Sequence, residues 1–349
     1  MVVTFSTNDT QFMSLALKLA RKGQYGVQSN PMVGCVIVKN GEIIADGYHQ
    51  TFGEAHAEID ALTKINHQAN DATLYVTLEP CAHQGKTPPC VQAIIDAGVE
   101  SVVIATLDPN PLVSGKGIAM LKDAGIVVKI GLLEDEAKQL NRTFIKRMKT
   151  NLPFVTCKIA MSLDGKTAMA SGESKWITGE SARADVQKLR AQHQAIMTGS
   201  GTILDDNPSM TVRLDTLNSQ PLRVVVDGKN QITDMSLNIF STDAETQVFN
   251  TENTKVNSVG KLDLNDILSQ LAIQGVNSIL LETGPHLIGA MVGAGLVDEF
   301  IIYMAPILMG NGANSMINLP IQTMGDKLAL TIKDIRMVGE DIKITAILK

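Results

Sequence analysis

The stretch His56-Ala57-Glu58, followed by Glu79-Pro80-Cys81 and then by Cys90, decides how the first half of this chain is organised. An imidazole and two thiolates are soft donors that favour zinc among the common divalent metals. Three protein ligands leave a fourth tetrahedral position for water, as in catalytic zinc sites. We therefore predict that His56, Cys81 and Cys90 are the metal ligands.

The carboxylate beside the first ligand has a task of its own in this chemistry. A His, a Glu two residues later and a Pro-Cys further on are typical of zinc-dependent nucleobase deaminases. Zinc lowers the pKa of water, and the Glu takes a proton from that water and delivers it to the departing ammonia. Glu58 is therefore the predicted catalytic residue. The alternative is a structural zinc site, which would want a fourth protein ligand and would leave Glu58 without a role.

Composition limits the remaining possibilities. A chain of 349 residues is expected to form two domains. The net charge of −6 and the aromatic content of 4% argue against a nucleic-acid partner, because basic patches and stacking platforms are scarce. No apolar run is long enough for a membrane span, so we expect no membrane partner. Four cysteines, two of them predicted thiolate ligands, favour a reducing, cytoplasmic location. Cys35 and Cys157 lie in strand-like runs and are predicted core residues.

Hydrophobic periodicity in the first half predicts an alternating β-α pattern, which is typical of an α/β fold. Asp9 or Thr10 is expected to cap a first helix that ends near Arg21, and residues 23–30 are expected to form a loop. Asn40-Gly41 predicts a hairpin turn. The predicted strands are 33–38, 43–48, 73–78, 102–106 and 126–130, and the further predicted helices are 56–65, one starting at Pro88-Pro89, 117–124 and 133–148. Asn151-Leu152-Pro153 then breaks the pattern, so we place the domains at 1–148 and 149–349.

The second half has the same alternation without a Gly-x-Gly-x-x-Gly fingerprint, so a Rossmann site is not indicated. Its strand-to-helix turns are rich in Gly and Thr, whose backbone N–H groups can bind phosphate. Such turns also occur in α/β domains without this role. The predicted strands are 154–160, 195–198, 222–227, 278–282, 299–305, 328–332 and 342–348, and the predicted helices are 181–192, 265–274 and 287–294. We expect residues 199–208 to form a turn and the stretch up to Gly260 to be irregular.

The run 77–90, TLEPCAHQGKTPPC, makes a family resemblance specific, because eight residues separate its two cysteines. With His56-Ala57-Glu58 it resembles the deaminase half of the bifunctional riboflavin-biosynthesis deaminase/reductase family. The resemblance implies a cytidine-deaminase-like α/β/α sandwich. It also implies deamination of 2,5-diamino-6-ribosylamino-4(3H)-pyrimidinone 5′-phosphate, a small-molecule pyrimidine ribose phosphate. Carried over from the family, the residues that hold this substrate would be Asn30, His49, His83, Lys86, Asp108 and Asn110.

The second half resembles the reductase half of the same family. The resemblance is carried by the segment 158–165, KIAMSLDG, by Trp176-Ile177-Thr178-Gly179, by Asp206-Asn207-Pro208 and by Glu282-Thr283-Gly284-Pro285. It implies a dihydrofolate-reductase-like α/β domain that uses NADPH to reduce the ribosyl group of 5-amino-6-(5-phosphoribosylamino)uracil to ribityl. The implied NADPH-binding residues are Ala160, Trp176, Thr202, Asp206, Gly228, Gly284, Pro285, His286, Leu287, Ile288, Gly289 and Ala290. The implied substrate-binding residues are Ser174, Arg190, Ser209, Arg213, Glu282 and Lys158. Lys158, Asp206 and Glu282 are the ionisable candidates for assisting hydride transfer, and the sequence does not rank them.

Two other functions remain open at this point. The first is a nucleic-acid-editing deaminase with a C-terminal binding domain, against which the acidic charge and the scarce aromatics argue. The second is a zinc-stabilised scaffold with a nucleotide-sensing domain, in which Glu58 would be dispensable. The leading hypothesis is a bifunctional enzyme that binds zinc and NADPH. The resemblance also implies a homo-oligomer, either a dimer or a tetramer.

Overall fold

The computed structural model describes residues 4–27, 29–82, 89–110, 114–214 and 219–349. The chain divides into two compact units between Asn151 and Leu152. Each unit has its own sheet and its own hydrophobic core. The units are therefore described one after the other.

The described residues of the first unit form six α-helices and one five-stranded sheet. The helices are α1 (Thr7–Ala20), α2 (Ala57–Thr63), α3 (Cys90–Asp96), α4 (Lys116–Asp123), α5 (Glu134–Leu140) and α6 (Arg142–Thr150). The strands are β1 (Gly34–Lys39), β2 (Glu42–Tyr48), β3 (Thr73–Val76), β4 (Ser101–Ile104) and β5 (Val127–Ile130). These elements confirm the predicted alternation, and Asn40 and Gly41 form the predicted hairpin with positive φ angles of 54° and 84°.

The sheet of the first unit is buried on both faces. Its strand order is β2-β1-β3-β4-β5, with β1 antiparallel to both of its neighbours and the last three strands parallel. Along β1, Cys35 and Ile37 pack against α2, α3 and α4, whereas Val36 and Val38 pack against α1 and α5. This period of two is what a strand between two helical layers requires. It confirms the α/β/α sandwich and the core position of Cys35.

Helix α2, which begins directly after the predicted metal ligand His56, lies unusually close to β2. A Cβ atom at Gly47 would stand 2.5 Å from the carbonyl oxygen of Ala57 and 2.5 Å from the amide nitrogen of Ala61. Only glycine leaves room for this approach. His56 is the N-cap residue of α2, so the predicted position of His56 and Glu58 at the start of a helix is confirmed.

Three details of the first unit differ from the sequence predictions. Ser6, rather than Asp9 or Thr10, caps α1, and Asp9 completes a capping box by accepting from the backbone N–H of Ser6. Residues Arg21–Tyr25 form a 3-10 helix at the start of the expected loop. The single helix predicted over residues 133–148 is two helices, because the chain leaves the helical path at Asn141.

In the second unit, the part of the chain outside residues 215–218 forms four α-helices and a sheet of eight strands. The helices are α7 (Glu180–Ala191), α8 (Ser200–Asp206), α9 (Leu264–Ile273) and α10 (Pro285–Gly293). The strands are β6 (Phe154–Ser162), β7 (Lys166–Ala168), β8 (Ala195–Gly199), β9 (Leu222–Val226), β10 (Thr246–Phe249), β11 (Ser278–Leu281), β12 (Glu299–Ala305), β13 (Asn314–Ser315), β14 (Leu330–Val338) and β15 (Asp341–Leu348). Strands β7 and β13 form a separate small ribbon.

Six neighbouring strands of the large sheet, in the order β10-β9-β8-β11-β6-β12, are parallel, and β15 and β14 add an antiparallel edge. On β6, Val155, Cys157 and Ile159 face α9 and α10, which confirms the core position of Cys157. Lys158 therefore points to the opposite face, where α7 packs. Parallel strands place their carboxyl ends at one edge, where ligands bind in open α/β sheets.

Two predictions for the second unit were wrong in part. Residues Ser200–Asp206 form α8, although we expected only a turn there, because Ile203 is buried and gives this short segment a core contact. The stretch expected to be irregular contains β10, which pairs with β9 in parallel. Only Val248 and Phe249 are strongly apolar in that four-residue strand, so the sequence pattern was too short to reveal it.

Candidate active sites

The three predicted metal donors lie together at the ends of α2 and α3. The Nδ1 atom of His56 is 3.2 Å from the Sγ of Cys90 and 3.6 Å from the Sγ of Cys81. A tetrahedral zinc with ordinary bond lengths separates its nitrogen and sulfur ligands by about 3.6 Å. The donor set and its spacing therefore fit zinc, and the described residues add no fourth His, Cys, Asp or Glu to the cluster.

The surroundings of Cys81 favour the deprotonated form of its thiol. Hydrogen bonds from Cys90 and His56 lower the pKa of the Cys81 thiol. They therefore favour its thiolate, which is the form that binds a metal. The backbone N–H of Cys90 also donates to the Cys81 sulfur at 3.3 Å.

Glu58 is buried beside these donors, with 3% of its surface exposed. Burial raises the pKa of its carboxyl to about 7, although the nearby His56 opposes the shift. Its side chain shares a hydrogen bond with the Cys90 thiol. A carboxyl group with a pKa near neutrality can both accept and release a proton under ordinary conditions.

His49 and Asn30 hold each other on one wall of the site. The Nδ1 of His49 is 3.0 Å from the carbonyl oxygen of Ala55, which can only accept, so this nitrogen carries the proton. The Nε2 of His49 then accepts from the Asn30 amide nitrogen at 3.0 Å. Burial lowers the pKa of His49, in keeping with a neutral ring.

A cavity of about 390 Å³ connects most of the predicted deaminase residues. It is lined by Asn30, His49, His56, Glu58, Cys81, Asp108 and Asn110, together with residues that the sequence did not single out, among them Phe52, Leu78, Glu79, Phe144, Arg147 and Met148. Cys90 lies behind Cys81 and is fully buried. The predicted residues His83 and Lys86 lie outside the described residues.

Helix α6 supplies a wall of this cavity that sequence reasoning missed. Phe144, Arg147 and Met148 occupy one helical face, at the spacing of three and four residues. Asn141, 2% exposed, fixes the start of this helix by two hydrogen bonds to Met32, one from the Met32 N–H and one to its carbonyl oxygen, both 2.8 Å long. The lining residues Asn30 and Pro31 directly precede Met32. The hydrogen bonds of Asn141 to Met32 therefore connect the wall formed by α6 with the wall that contains Asn30.

In the second unit, three predicted substrate residues form a largely buried ion cluster, with side-chain exposures between 10% and 18%. Glu282 follows β11 and accepts from Arg190 at 2.6 Å and 3.2 Å and from Lys158 at 3.4 Å. Although burial opposes it, the positive charges of Arg190 and Lys158 lower the pKa of Glu282 to about 2. Glu282 is therefore a permanent carboxylate, which removes it from the candidate proton donors.

Two helices begin at neighbouring strand ends close to this cluster. Helix α8 follows β8, and α10 follows β11 after Gly284 as N-cap residue. The Thr283 hydroxyl accepts from the N–H of Gly199 at 3.2 Å, so the two turns are joined. Within α10, Ile288 and Gly289 are buried: Ile288 packs in the core, and Gly289 lies against the carbonyl of Asn318. Any ligand contact by these two residues must therefore come through the backbone.

The remaining predicted residues of the second unit lie on several different elements and loops. The Ser174 hydroxyl lies 3.5 Å from an Asp206 carboxylate oxygen, at the end of α8. Trp176 is 71% exposed, and the Arg183 guanidinium stacks on its ring at 4.6 Å. The other positions are Ala160 on β6, Thr202 in the first turn of α8, Gly228 after β9, Ser209 after α8, whose carbonyl accepts from Arg223, and the exposed Arg213.

Comparison with known proteins identifies both units. Residues 6–106 match the cytidine and deoxycytidylate deaminase zinc-binding region, and residues 153–344 match the RibD C-terminal domain. The riboflavin biosynthesis protein RibD of Escherichia coli is 46% identical over 96% of this chain and 98% of its own length. The chain belongs to the RibD family. RibD of Bacillus amyloliquefaciens is similar at 44% identity over 97% of this chain and 96% of its own length.

Solved structures of the family agree with the fold. Acinetobacter baumannii RibD superposes with a TM-score of 0.91 at 41% identity, over 98% of this chain and 99% of that one. A diaminohydroxyphosphoribosylaminopyrimidine deaminase/5-amino-6-(5-phosphoribosylamino)uracil reductase from Thermotoga maritima superposes with a TM-score of 0.89 at 34% identity, with the same coverage. The predicted fold classes of both halves are thus confirmed.

This member of the RibD family is a bifunctional deaminase and reductase of riboflavin biosynthesis, as the sequence predicted. Zinc serves its deaminase region and NADPH serves its reductase domain. The alternatives of a nucleic-acid-editing enzyme and of a non-catalytic scaffold are not favoured. Among the described residues, no helix is both long and apolar enough to cross a membrane.

Proposed function

We propose that the first unit deaminates 2,5-diamino-6-ribosylamino-4(3H)-pyrimidinone 5′-phosphate by hydrolysis. The observation that carries the proposal is the cluster of three zinc-type donors beside a cavity that His56, Cys81 and the buried carboxyl of Glu58 line. Water replaces an exocyclic amine, which leaves as ammonia, and the ring carbon becomes a carbonyl. A cavity of about 390 Å³ suits a substrate of the size of a pyrimidine ribose phosphate.

In this proposal, His56, Cys81 and Cys90 hold the zinc. Zinc bound there supplies a Lewis acid that makes water more acidic. Glu58 accepts a proton from the attacking water and delivers it to the departing amine, a role that its buried position and raised pKa support. The carbonyl oxygen of Asn30, whose amide nitrogen is engaged by His49, accepts from the amino edge of the base.

The polar and charged residues at the rim would hold the ribose phosphate. Asp108 and Asn110 line the cavity and can bind the sugar hydroxyls. Arg147 is the one Lys or Arg among the described lining residues, and its guanidinium matches phosphate oxygens two at a time. The remaining family positions, His83 and Lys86, are proposed to complete this part of the site.

We propose that the second unit then reduces the ribosyl group of the deaminated product to ribityl. NADPH, when bound, supplies the hydride for the sugar C1′. Opening of the ring leaves negative charge on its oxygen, and Lys158 is the cation that can stabilise this charge and donate a proton. Glu282 and Arg190 orient Lys158 through the buried ion cluster. This ranks Lys158 above Glu282, whose pKa of about 2 excludes it as a proton donor at neutral pH.

The NADPH phosphates are proposed to lie on the turns that start α8 and α10. Thr202 and the first turn of α10, including His286 and Leu287, offer N–H groups that lack partners within their helices. Further family positions proposed to hold NADPH are Ala160, Trp176, Asp206, Gly228, Gly284, Pro285, Ile288, Gly289 and Ala290. Ser174, Ser209 and Arg213 are proposed to hold the substrate of reduction. The contact of Ser174 with Asp206 and the hydrogen bond between Gly199 and Thr283, which joins the turns before α8 and α10, support these assignments.

A direct assay separates the two reactions. The purified protein is incubated with the diaminopyrimidinone phosphate, and the products are analysed by mass spectrometry. Without NADPH we expect ammonia release and exchange of one amino group for oxygen. With NADPH we expect the further gain of two hydrogens. Recovery of unchanged substrate from zinc-loaded protein contradicts the proposed deamination.

We also infer a cytoplasmic homo-oligomer, either a dimer or a tetramer. The reduced state that the thiolate ligands require supports the location, and all four cysteines are free. The edge strand β14 exposes Leu330, Ile332, Ile335 and Met337, and exposed apolar edges favour association. Analytical ultracentrifugation tests the oligomer: a monomer at micromolar concentration would contradict it.

A further inference from the structure

Glu79 is a buried carboxylate in the deaminase cavity to which the proposed chemistry gives no task. It is 3% exposed, lines the cavity and lies two residues before the metal donor Cys81. Its four hydrogen-bond partners are backbone N–H groups. Burial of a carboxylate is costly unless its lone pairs are satisfied, and these four bonds satisfy them.

The two oxygens of Glu79 hold two different parts of the chain. Oε2 accepts from the N–H of Asp108 at 3.3 Å and from the N–H of Gly115 at 3.0 Å. One atom therefore binds both ends of the segment 108–115, which carries the cavity residue Asn110. Asn110 is fixed further by its own N–H, which donates to the Asp108 side chain at 2.8 Å.

The other oxygen binds the start of α4. Oε1 accepts from the N–H of Gly117 at 3.1 Å and from that of Ile118 at 3.4 Å. A carboxylate is favourable at a helix N-terminus because free N–H groups and the helix dipole meet there. The approach is close, since a Cβ atom at Gly117 would stand 2.3 Å from the carbonyl oxygen of Pro80.

We infer that Glu79 is a positioning residue of the deaminase site: its carboxylate holds the backbone at Asp108 and Gly115, and so fixes Asp108 and Asn110 for the substrate. The inference rests on the proposed deamination, and it names a residue that positions the substrate-binding side chains for that reaction. Glu79 acts through the loop, whereas Glu58 acts on the reacting atoms.

The test compares Glu79→Gln with wild type in the full-length, zinc-loaded protein. Glutamine keeps one acceptor oxygen and places its amide NH2 group against the other pair of N–H donors. One of the two pairs of hydrogen bonds is therefore lost. We expect KM for the diaminopyrimidinone phosphate to rise about tenfold or more, with kcat changed much less. Bound zinc and NADPH-dependent reduction should remain at wild-type level. Glu100→Gln, at an exposed position of the same unit, is the matched control and should change none of these values.

A double-mutant cycle with Asn110→Ala distinguishes positioning from direct contact. If Glu79 works through the loop, removing the Asn110 side chain should cost less in kcat/KM when Glu79→Gln is already present. Hydrogen exchange of the amides at 115–118 should also be faster in Glu79→Gln. Glu79→Asp, which keeps the charge but shortens the reach, should give an intermediate KM and serves as the second variant if the Gln form loses zinc.

Additive effects of the two substitutions, or a collapse of kcat like that of Glu58→Gln with unchanged amide exchange, would overturn the inference. Failure of the proposed function looks different. In that case wild type itself does not deaminate the substrate, while the exchange experiment still reports whether Glu79 holds the loop.

Discussion

Replacement of Glu282 by Gln tests how strongly the reductase site depends on its buried ion cluster. The variant keeps the shape of the side chain and removes the charge that Lys158 and Arg190 share. A carboxyl whose pKa falls from 4.5 to about 2 contributes about 3 kcal/mol to the free energy of unfolding. Removing one partner of a buried ion pair costs about 3–5 kcal/mol in general. Both arguments therefore predict a loss of about 3 kcal/mol.

The sign of the pH dependence follows from the direction of this pKa shift. Because the pKa of Glu282 is lowered in the folded protein, its contribution is complete above pH 4.5 and is lost as the pH falls towards about 2. The stability difference between wild type and variant should therefore be constant around neutral pH. It should shrink in acid, where the wild-type carboxyl becomes protonated.

Urea unfolding followed by tryptophan fluorescence measures the loss of stability in the second unit, which contains Glu282. Trp176 is the one tryptophan of the chain and lies in the second unit, stacked on Arg183. NADPH-dependent reduction should also fall by about tenfold or more, because Lys158 loses the carboxylate that orients it. Glu252→Gln, at an exposed site of the same unit, is the control. A loss below about 1 kcal/mol, close to the value of a surface pair, would refute the reasoning.

Two further predictions concern the walls of the deaminase cavity. Asn141→Ala removes the hydrogen bonds to the N–H and the carbonyl of Met32. We therefore expect the free energy of unfolding of the first unit to fall by about 2–5 kcal/mol and KM for deamination to rise. Gln139→Ala, at an exposed position, is the control. Equal stability of the two variants would argue against a stabilising role of the hydrogen bonds between Asn141 and Met32. Arg147→Gln should raise KM for the phosphorylated substrate about tenfold and leave turnover of the dephosphorylated nucleoside unchanged. An equal effect on both substrates would show that Arg147 does not read the phosphate.

The metal site could be predicted from sequence because its chemistry restricts the residue types. His56 and Glu58 stand two residues apart and Cys81 follows a Pro, and strand and helix signals around them predict that all three meet at element ends. The α/β class followed from the alternation of strands and helices, whereas the fold of each half was implied by the family resemblance. Here local pattern and global fold agree, so the sequence alone was sufficient.

The residues that sequence reasoning missed act through distant partners. Asn141 reads as a polar residue inside a helix, and only its bonds to Met32, 109 positions away, explain the break. Glu79 was visible in the motif, but its N–H partners come from residues 108–118. Likewise, Lys158, Asp206 and Glu282 could not be ranked until Lys158 and Arg190 were seen on the same carboxylate. Local periodicity does not contain such contacts.

The central claim is that the chain holds two separable active sites, one built on zinc and Glu58 and the other on NADPH and Lys158. Glu58→Gln tests it most directly, with ammonia release, bound zinc and NADPH-dependent reduction of the deaminated substrate measured on one preparation. The account predicts that ammonia release disappears while zinc content and reduction stay at wild-type level. Loss of both activities in a folded, zinc-loaded variant, or deamination that survives the substitution, would contradict it.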